Sequence, residues 1–256
     1  ILGGFLTAPP LYGPLRRRLL ARGAAAVLTD GIWTTDWLLA APIGIWRIVR
    51  RANAALNRAV AAAAASERSC GAPILVVGHS SGGIVARLLL SEQPYAGRRF
   101  ARAVDIGALV TLGRPHHAAV HGELGRTMVT RAARWLARVE PDAFHTPEVA
   151  YVTVGSRAIV GHPAGRGRER LAERTYRAFL PDLPGPIAGD GMVSVQSSLL
   201  AGSVTIVLDD VVHGQGGGRP WYGTDPALDQ WWPAALDAWR AALRSRAGVR
   251  GSATAG

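Results

Sequence analysis

A short apolar run followed at once by a glycine-flanked serine most constrains how this chain can fold. The run is PILVV at residues 73–77, and GHSSG follows directly at residues 78–82. Residues 84–90 are again apolar and have the character of a helix. In the pattern G-x-S-x-G a buried strand turns sharply into a helix, so that the serine lies on strained backbone with its hydroxyl above the sheet. The pattern therefore predicts a strand–turn–helix unit in which Ser80 is a candidate nucleophile.

A serine hydroxyl needs a histidine to accept its proton and an acid to orient that histidine. Downstream of Ser80, Asp190 lies in the turn-rich segment GDGMV at residues 189–193, and a strand-like run at residues 204–208 leads to His213. Nucleophile, acid and base follow one another in this order in α/β-hydrolase sheets. We therefore predict Ser80 as nucleophile, Asp190 as acid and His213 as base.

Two other acids compete with Asp190, because Asp209 and Asp210 are close to His213 in sequence. We interpret both as a charged strand end. A turn of the Asp-Gly type after the preceding strand is where this fold places its acid.

The remaining histidines have ordinary explanations. His79 is expected to pack beside Ser80 and to support it. His116 and His117 follow a strand-like run at residues 108–113, so we interpret them as pocket lining or structural support. A metal pair is the less favoured alternative, since no further ligand cluster accompanies them. Solvent exposure is expected for the histidines in polar or Pro/Gly-containing connections, namely His121, His145 and His162.

An oxyanion hole requires backbone N–H groups directed at the charge that develops on the carbonyl oxygen. The residue after the nucleophile, Ser81, is one predicted donor. The second is Phe5, because the chain opens with the apolar segment ILGGFL at residues 1–6, which has a glycine pair in the loop after an early strand. A flexible glycine turn without a catalytic role is the alternative.

A family resemblance extends along most of the chain. Its segments are ILGGFL at 1–6, VVGHSSGG at 76–83, LVTLGRPHH at 109–117, GDGMVSVQSSLLAG at 189–202, VLDDVVHG at 207–214 and WYG at 221–223. Together they resemble the lipase-like serine hydrolases of cyanobacteria and plant plastids, which are α/β-hydrolases. The resemblance implies an α/β-hydrolase fold and the same three catalytic residues. The chain departs from the family at Arg114, where a threonine is usual, and at the glycines of residues 216–218; both departures bear on substrate preference.

Length and composition fit one domain, since 256 residues with 48% hydrophobic content can bury a substantial core. We expect a single domain over residues 1–250 and a disordered tail over 251–256. Strand and helix signals alternate, which predicts a mainly parallel sheet of about six strands flanked by helices. This would be a minimal core that lacks the first two strands of a full hydrolase. Strands are predicted near Ile1 and at 24–28, 73–77, 108–112, 149–154 and 204–208, and helices at 11–22, at 36–65 with a break near Pro42 and Gly44, and at 226–244.

Residues 120–143 form an amphipathic pattern that predicts a helix. The apolar face of this helix most simply packs on the body of the domain. A lid or cap that exposes Trp135 and its neighbours to lipid is the alternative hypothesis.

The formal charge of +11 comes from arginine alone, because the chain contains no lysine. A basic surface can attract anionic lipid or acidic polymers, so transient contact with a lipid surface stays open. We favour a compositional bias, since the arginines are scattered. No nucleic-acid partner is expected, because no binding motif accompanies the charge. Cys70 is the single cysteine and makes no intrachain disulfide. No membrane span or signal peptide is visible, which leaves the compartment undetermined.

These observations favour a serine carboxylester hydrolase without cofactor or metal, acting through an acyl-enzyme on Ser80. Eight tryptophans, among them Trp221, Trp231 and Trp232, favour an apolar acyl group. The substrate is a small-molecule, lipid or polymer ester, and the oligomeric state is open. The alternatives are a polyester hydrolase with the same residues, an acyltransferase that excludes water, and a ligand-binding protein that keeps the fold without turnover.

Overall fold

The computed structural model describes residues 1–29, 31–69, 71–117, 127–216 and 218–253. The predictions that concern Cys70, His121, residues 120–126, Gly217 and the last three residues therefore lie outside the described residues.

Helices and strands alternate along the described chain, as the sequence predicts. The helices are α1 (Gly13–Ala21), α2 (Thr34–Ile43), α3 (Trp46–Ala64), α4 (Ser81–Leu90), α5 (Met128–Val139), α6 (Arg168–Phe179), α7 (Val195–Ser198) and α8 (Asp225–Ala253), and a 3-10 turn spans Pro9–Tyr12. The strands are β1 (Ile74–His79), β2 (Ile106–Leu112), β3 (Ala150–Ser156), β4 (Ile159–Gly161), β5 (Ile187–Gly189) and β6 (Val204–Leu208).

The main sheet has the strand order β1-β2-β3-β6, and all neighbours are parallel. The register pairs His79 with Leu112, Leu112 with Val154 and Ser156 with Leu208, so the carboxyl ends of the strands lie at one edge. Ligand and catalytic sites of such sheets form at this edge. The connections after β1 and β6 carry Ser80 and His213 to it.

Among the described residues the main sheet has four strands, where about six were predicted. The strand predicted near Ile1 is reduced to a single parallel bridge between Leu2 and Gly78. No strand forms at residues 24–28. This segment is rich in alanine, which has a low strand propensity, and its Leu28 carbonyl accepts a hydrogen bond from the Ile1 amine at 2.7 Å.

Helices cover both faces of the sheet, each over its own apolar core. Side chains of α3, α4 and α5 form one core, and side chains of α1 and α8 form the other with the opposite face of the strands. A parallel sheet with helices on both faces confirms the predicted α/β class and is consistent with an α/β-hydrolase fold.

The helix bounds agree broadly with the sequence patterns, but α5 ends at Val139, four residues before the end of the helix predicted over 120–143, and the last helix also differs at its carboxyl end. The predicted break near Pro42 and Gly44 separates α2 from α3, where Gly44 has φ 97°. The last helix extends to Ala253 and so includes the first part of the predicted tail. Among the described helices, none combines the length and the apolar character required to cross a membrane.

A two-stranded antiparallel ladder of β4 and β5, covered by α6, lies beside the main sheet. The sequence did not indicate these strands, which have three residues each. The ladder matters for the site because Asp190 follows β5 directly.

Candidate active site

Ser80 occupies the sharp turn between β1 and α4 with φ 51° and ψ −127°. This backbone conformation is sparsely populated by residues other than glycine and persists only where the surrounding structure enforces it. The neighbouring glycines show the enforcement. A Cβ atom on Gly78 would lie 2.5 Å from Gly83 Cα, and one on Gly82 would lie 2.1 Å from the Leu2 carbonyl oxygen. The turn can form only because both positions lack side chains.

Asp190 and His213 form a hydrogen-bonded pair, with 2.8 Å between Asp190 Oδ2 and His213 Nδ1. Their backbones are also joined, since His213 N–H donates to the Asp190 carbonyl at 2.9 Å. Asp209, by contrast, is exposed and pairs with Arg157, and Asp210 is exposed as well. Of the three candidate acids, Asp190 is therefore the one that the structure places against His213.

The Asp190 carboxylate is buried and accepts four hydrogen bonds. Oδ1 accepts from the backbone N–H groups of Met192 at 2.9 Å and Val193 at 2.7 Å, while Oδ2 accepts from Tyr222 Oη at 2.8 Å and from His213. A Cβ atom on Gly113 would lie 2.5 Å from Oδ2, so glycine is required there to leave room for the carboxylate.

Charge and hydrogen bonding keep this buried acid ionised. Burial alone would raise the pKa of Asp190, but the His213 charge, the His213 hydrogen bond and the amides of Val193 and Met192 together lower it. A carboxylate only accepts hydrogen bonds, so His213 Nδ1 carries a proton. In a neutral His213 ring, Nε2 is therefore the free base.

Ser80 directly follows His79 in the chain, and the His79 ring contacts His213. His79 Nε2 donates to the His213 carbonyl at 2.8 Å, and the two imidazole centroids are 4.9 Å apart. Within the described residues, Ser80 Oγ makes no hydrogen bond to the His213 ring. Such bonds are often long in free enzymes and tighten when substrate binds.

His79 belongs to a chain of hydrogen bonds that sequence reasoning missed. Because a carbonyl can only accept, His79 Nε2 is protonated, which leaves Nδ1 to accept from Tyr12 Oη at 2.9 Å. Tyr12 Oη in turn accepts from Gly4 N–H at 2.9 Å. These hydrogen bonds connect the backbone at Gly4 with the elbow and with His213. No local pattern could reveal it, since Tyr12 and His79 are 67 residues apart.

The two predicted oxyanion donors both have free N–H groups. Gly4 lies against Ser80, because a Cβ atom there would be 2.9 Å from Ser80 Cβ, and this places Phe5 beside the elbow. Neither Phe5 N–H nor Ser81 N–H makes a hydrogen bond with another described residue. For Ser81 this follows from its position in the first turn of α4, where helical N–H groups have no partner within the helix.

The other predicted histidines lie away from this pair. His116 is buried beneath the edge, where its ring bonds to Thr111 Oγ1 at 3.1 Å and to Arg114, which agrees with structural support. His162 is exposed, as expected. The expectation of exposure is wrong for His145, because its Nε2 pairs with the buried Glu140 at 3.3 Å.

Arg114, the departure from the family pattern, points into the protein. Its side chain is buried under α4, and a Cβ atom on Gly83 would lie 2.7 Å from its Cδ. The substitution therefore alters packing beneath the elbow and does not place a charge at its mouth.

Three tryptophans that favoured an apolar substrate in the sequence are part of the core. Trp221, Trp231 and Trp232 are buried with the side chains of α1 and α8. Because these side chains pack in the core, they give no evidence for an apolar acyl group in the substrate.

The described part of segment 120–143 packs against the domain. In α5, Ala132, Ala133 and Leu136 are buried in the core, and Trp135 packs on Tyr95 with ring centroids 5.0 Å apart. Residues 127–143 therefore agree with the packing interpretation.

Comparison with known families supports the fold and the hydrolase class. Residues 47–142 match the family model described as the PGAP1-like alpha/beta domain, which is a member of the alpha/beta hydrolase superfamily. The match spans a little more than a third of the chain and includes Ser80, but it ends before Asp190 and His213. Among curated proteins, no match to the chain was found. The narrower resemblance to plastid lipases rests on the sequence motifs alone.

Side chains suited to a metal ion do not cluster in this site. Among residues 1–29, 31–69, 71–117, 127–216 and 218–253, no group of three or more His, Cys, Asp or Glu side chains could hold one.

Proposed function

We propose that this protein is a serine carboxylester hydrolase that cleaves esters through an acyl-enzyme on Ser80. The observation that carries the proposal is the buried Asp190–His213 pair beside a serine on a strained elbow. The Asp190 carboxylate is buried, accepts four hydrogen bonds and fixes the tautomer of the partly exposed His213 imidazole. A protein that only binds a ligand does not require this arrangement.

The reaction follows from the proton positions. Ser80 Oγ attacks the ester carbonyl carbon while its proton passes to His213 Nε2, and the charge that develops on the carbonyl oxygen is held by Phe5 N–H and Ser81 N–H. His213 then returns the proton to the departing alcohol, which leaves the acyl group on Ser80. Water, deprotonated by His213, attacks the acyl carbon and releases the carboxylic acid and free Ser80. Asp190 keeps His213 oriented throughout and stabilises its charged form.

The test is the initial rate on p-nitrophenyl esters from butyrate to palmitate. We expect wild type to turn over at least one ester and Ser80→Ala to lose nearly all of that activity. Ser66→Ala, a serine two residues beyond the end of α3, is the control and should keep the wild-type rate. Equal rates for Ser80→Ala and wild type would exclude the proposal and favour the ligand-binding alternative.

A polymer ester is the second candidate substrate. Phe5, whose N–H is the proposed oxyanion donor, has a side chain that is 50% exposed. Met192, two residues after Asp190, is 44% exposed. Exposed apolar side chains of this size suit a long chain that lies across them. Release of soluble products from a polyester film, together with a maximum at short acyl length, would favour this candidate over a lipase.

A further inference from the structure

An apolar run without any polar side chain extends from Trp37 to Trp46 and forms most of α2. A surface helix of a globular protein usually buries its apolar face and exposes a polar one. Here α2 buries Trp37 and Ala40 and exposes leucines: Leu38 is 60% exposed and Leu39 53%. No polar face remains on this part of the helix.

Neighbouring apolar side chains enlarge this exposed surface. Pro42 and Ile43 lie four residues beyond Leu38 and Leu39, so the four side chains share one side of α2. We call the surface the docking face, and it comprises Phe5, Leu6, Trp33, Leu38, Leu39 and Ile43, each more than 40% exposed.

The docking face adjoins the candidate active site. Phe5 packs edge-on against Trp37 with ring centroids 5.4 Å apart, and Thr34 Oγ1 donates to the Leu6 carbonyl at 3.2 Å. The segment of residues 4–6 thus connects α2 with Ser80. A surface bound to the docking face would lie next to the nucleophile.

Cations without acidic partners border the face at its carboxyl end. The guanidinium groups of Arg50 and Arg98 stack on the Trp46 ring, 5.4 and 4.2 Å from its centroid, and neither makes an ion pair with a described residue. Between Asp36 and Glu67 the sequence contains no acid, and the buried Asp36 is already paired with Arg51.

We propose that the docking face binds a lipid–water interface that carries anionic headgroups. The apolar run is too short to span a bilayer, but an exposed apolar helix flanked by arginine and tryptophan suits the boundary between headgroups and acyl chains. The unpaired guanidinium groups would then contact the negative headgroups. A second copy of the chain is a poorer occupant, because a symmetric contact would bring the same cations of both copies together.

This inference rests on the proposed function, because it names a lipid surface as the source of the ester that reaches Ser80. Its test measures binding and does not depend on turnover. Ser80→Ala protein would be sedimented with vesicles of phosphatidylcholine alone and with vesicles that also contain phosphatidylglycerol. In this background the double variant Leu38→Gln/Leu39→Gln is compared with Leu171→Gln, a leucine of α6 that is 56% exposed. Thermal melting checks that all variants are folded.

We expect stronger binding to the phosphatidylglycerol vesicles and about a tenfold or larger fall in the partition coefficient for the double variant, because burial of one leucine is worth at least a tenfold change. Leu171→Gln should bind like its parent. The double variant Arg50→Gln/Arg98→Gln should lose only the preference for anionic vesicles.

Either of two results would overturn the proposal. Equal binding by the Leu38→Gln/Leu39→Gln variant and its parent would mean that the net charge of the whole protein attracts the vesicles. Self-association that this variant abolishes, with no vesicle binding by the parent, would assign the face to a second copy of the chain.

Discussion

His79 should make the folded protein less stable in acid, and the substitution His79→Gln should remove this effect. Burial is the main cause that lowers the pKa of His79 to about 3, and the charge of His213 lowers it further; the His213 carbonyl and Asp190 oppose the shift. Protonation would also put a proton on Nδ1, which accepts from Tyr12 in the folded state. The folded protein therefore holds His79 neutral.

The magnitude follows from proton linkage. An unfolded chain binds a proton at this histidine below about pH 6.5, whereas the folded protein binds it only near pH 3. Between these values the unfolded state holds more protons, so the free energy of unfolding decreases as pH falls through 6.5. Between pH 8 and pH 5 the loss from His79 alone amounts to about 2 kcal/mol.

Urea unfolding of wild type and His79→Gln at pH 8 and pH 5 measures this difference. Other titrating groups are common to both proteins and cancel, so the loss of unfolding free energy should be about 2 kcal/mol smaller in His79→Gln. Tyr12→Phe is the control: it leaves His79 Nδ1 without its donor and should destabilise at both pH values, but it should keep most of the acid-dependent loss, because burial is the main cause of the lowered pKa of His79. If wild type and His79→Gln lose the same free energy between the two pH values, His79 is not held neutral by the fold.

Three further substitutions test the surroundings of Ser80 and Asp190. Asp190→Asn removes the acceptor that fixes the imidazole tautomer and should lower kcat by roughly 10³- to 10⁴-fold; a rate within tenfold of wild type on p-nitrophenyl esters would contradict this. Tyr222→Phe deletes one of four donors to the Asp190 carboxylate and should lower the free energy of urea unfolding by about 1.5 to 3 kcal/mol. Its activity should fall less than that of Asp190→Asn. An unchanged free energy of unfolding would contradict the hydrogen bond between Tyr222 and Asp190. Gly82→Ala forces a Cβ atom against the Leu2 carbonyl and should lower Tm. Gly248→Ala is the control, because the space around Gly248 is open, and it should not lower Tm. Equal Tm values for the two variants would refute the steric argument.

The elbow could be predicted from the sequence because its constraints are local. Gly78, Ser80 and Gly82 lie within five residues, and glycine is required at 78 and 82 because a Cβ atom would clash there with Gly83 or Leu2. The break before α3 is predictable for the same reason, since Gly44 adopts a positive φ that other residues avoid.

Features that depend on distant contacts could not be predicted. Tyr222 reaches Asp190 across 32 residues and Tyr12 reaches His79 across 67, and neither tyrosine belongs to a pattern that a short window reveals. His145 appeared exposed by its polar neighbours, but the fold brings it to Glu140. The same holds for the sheet, where segment 24–28 does not form the strand that its apolar character suggested.

The most direct test of the central claim is covalent labelling of wild type with a fluorophosphonate, followed by mass spectrometry of its peptides. An activated serine reacts with this electrophile, and a serine that is not activated does not. We predict one adduct, located on Ser80. It should not form when the protein is unfolded before labelling, and it should form much more slowly in Asp190→Asn. No adduct, or an adduct on another residue, would contradict the assignment of Ser80 as the nucleophile.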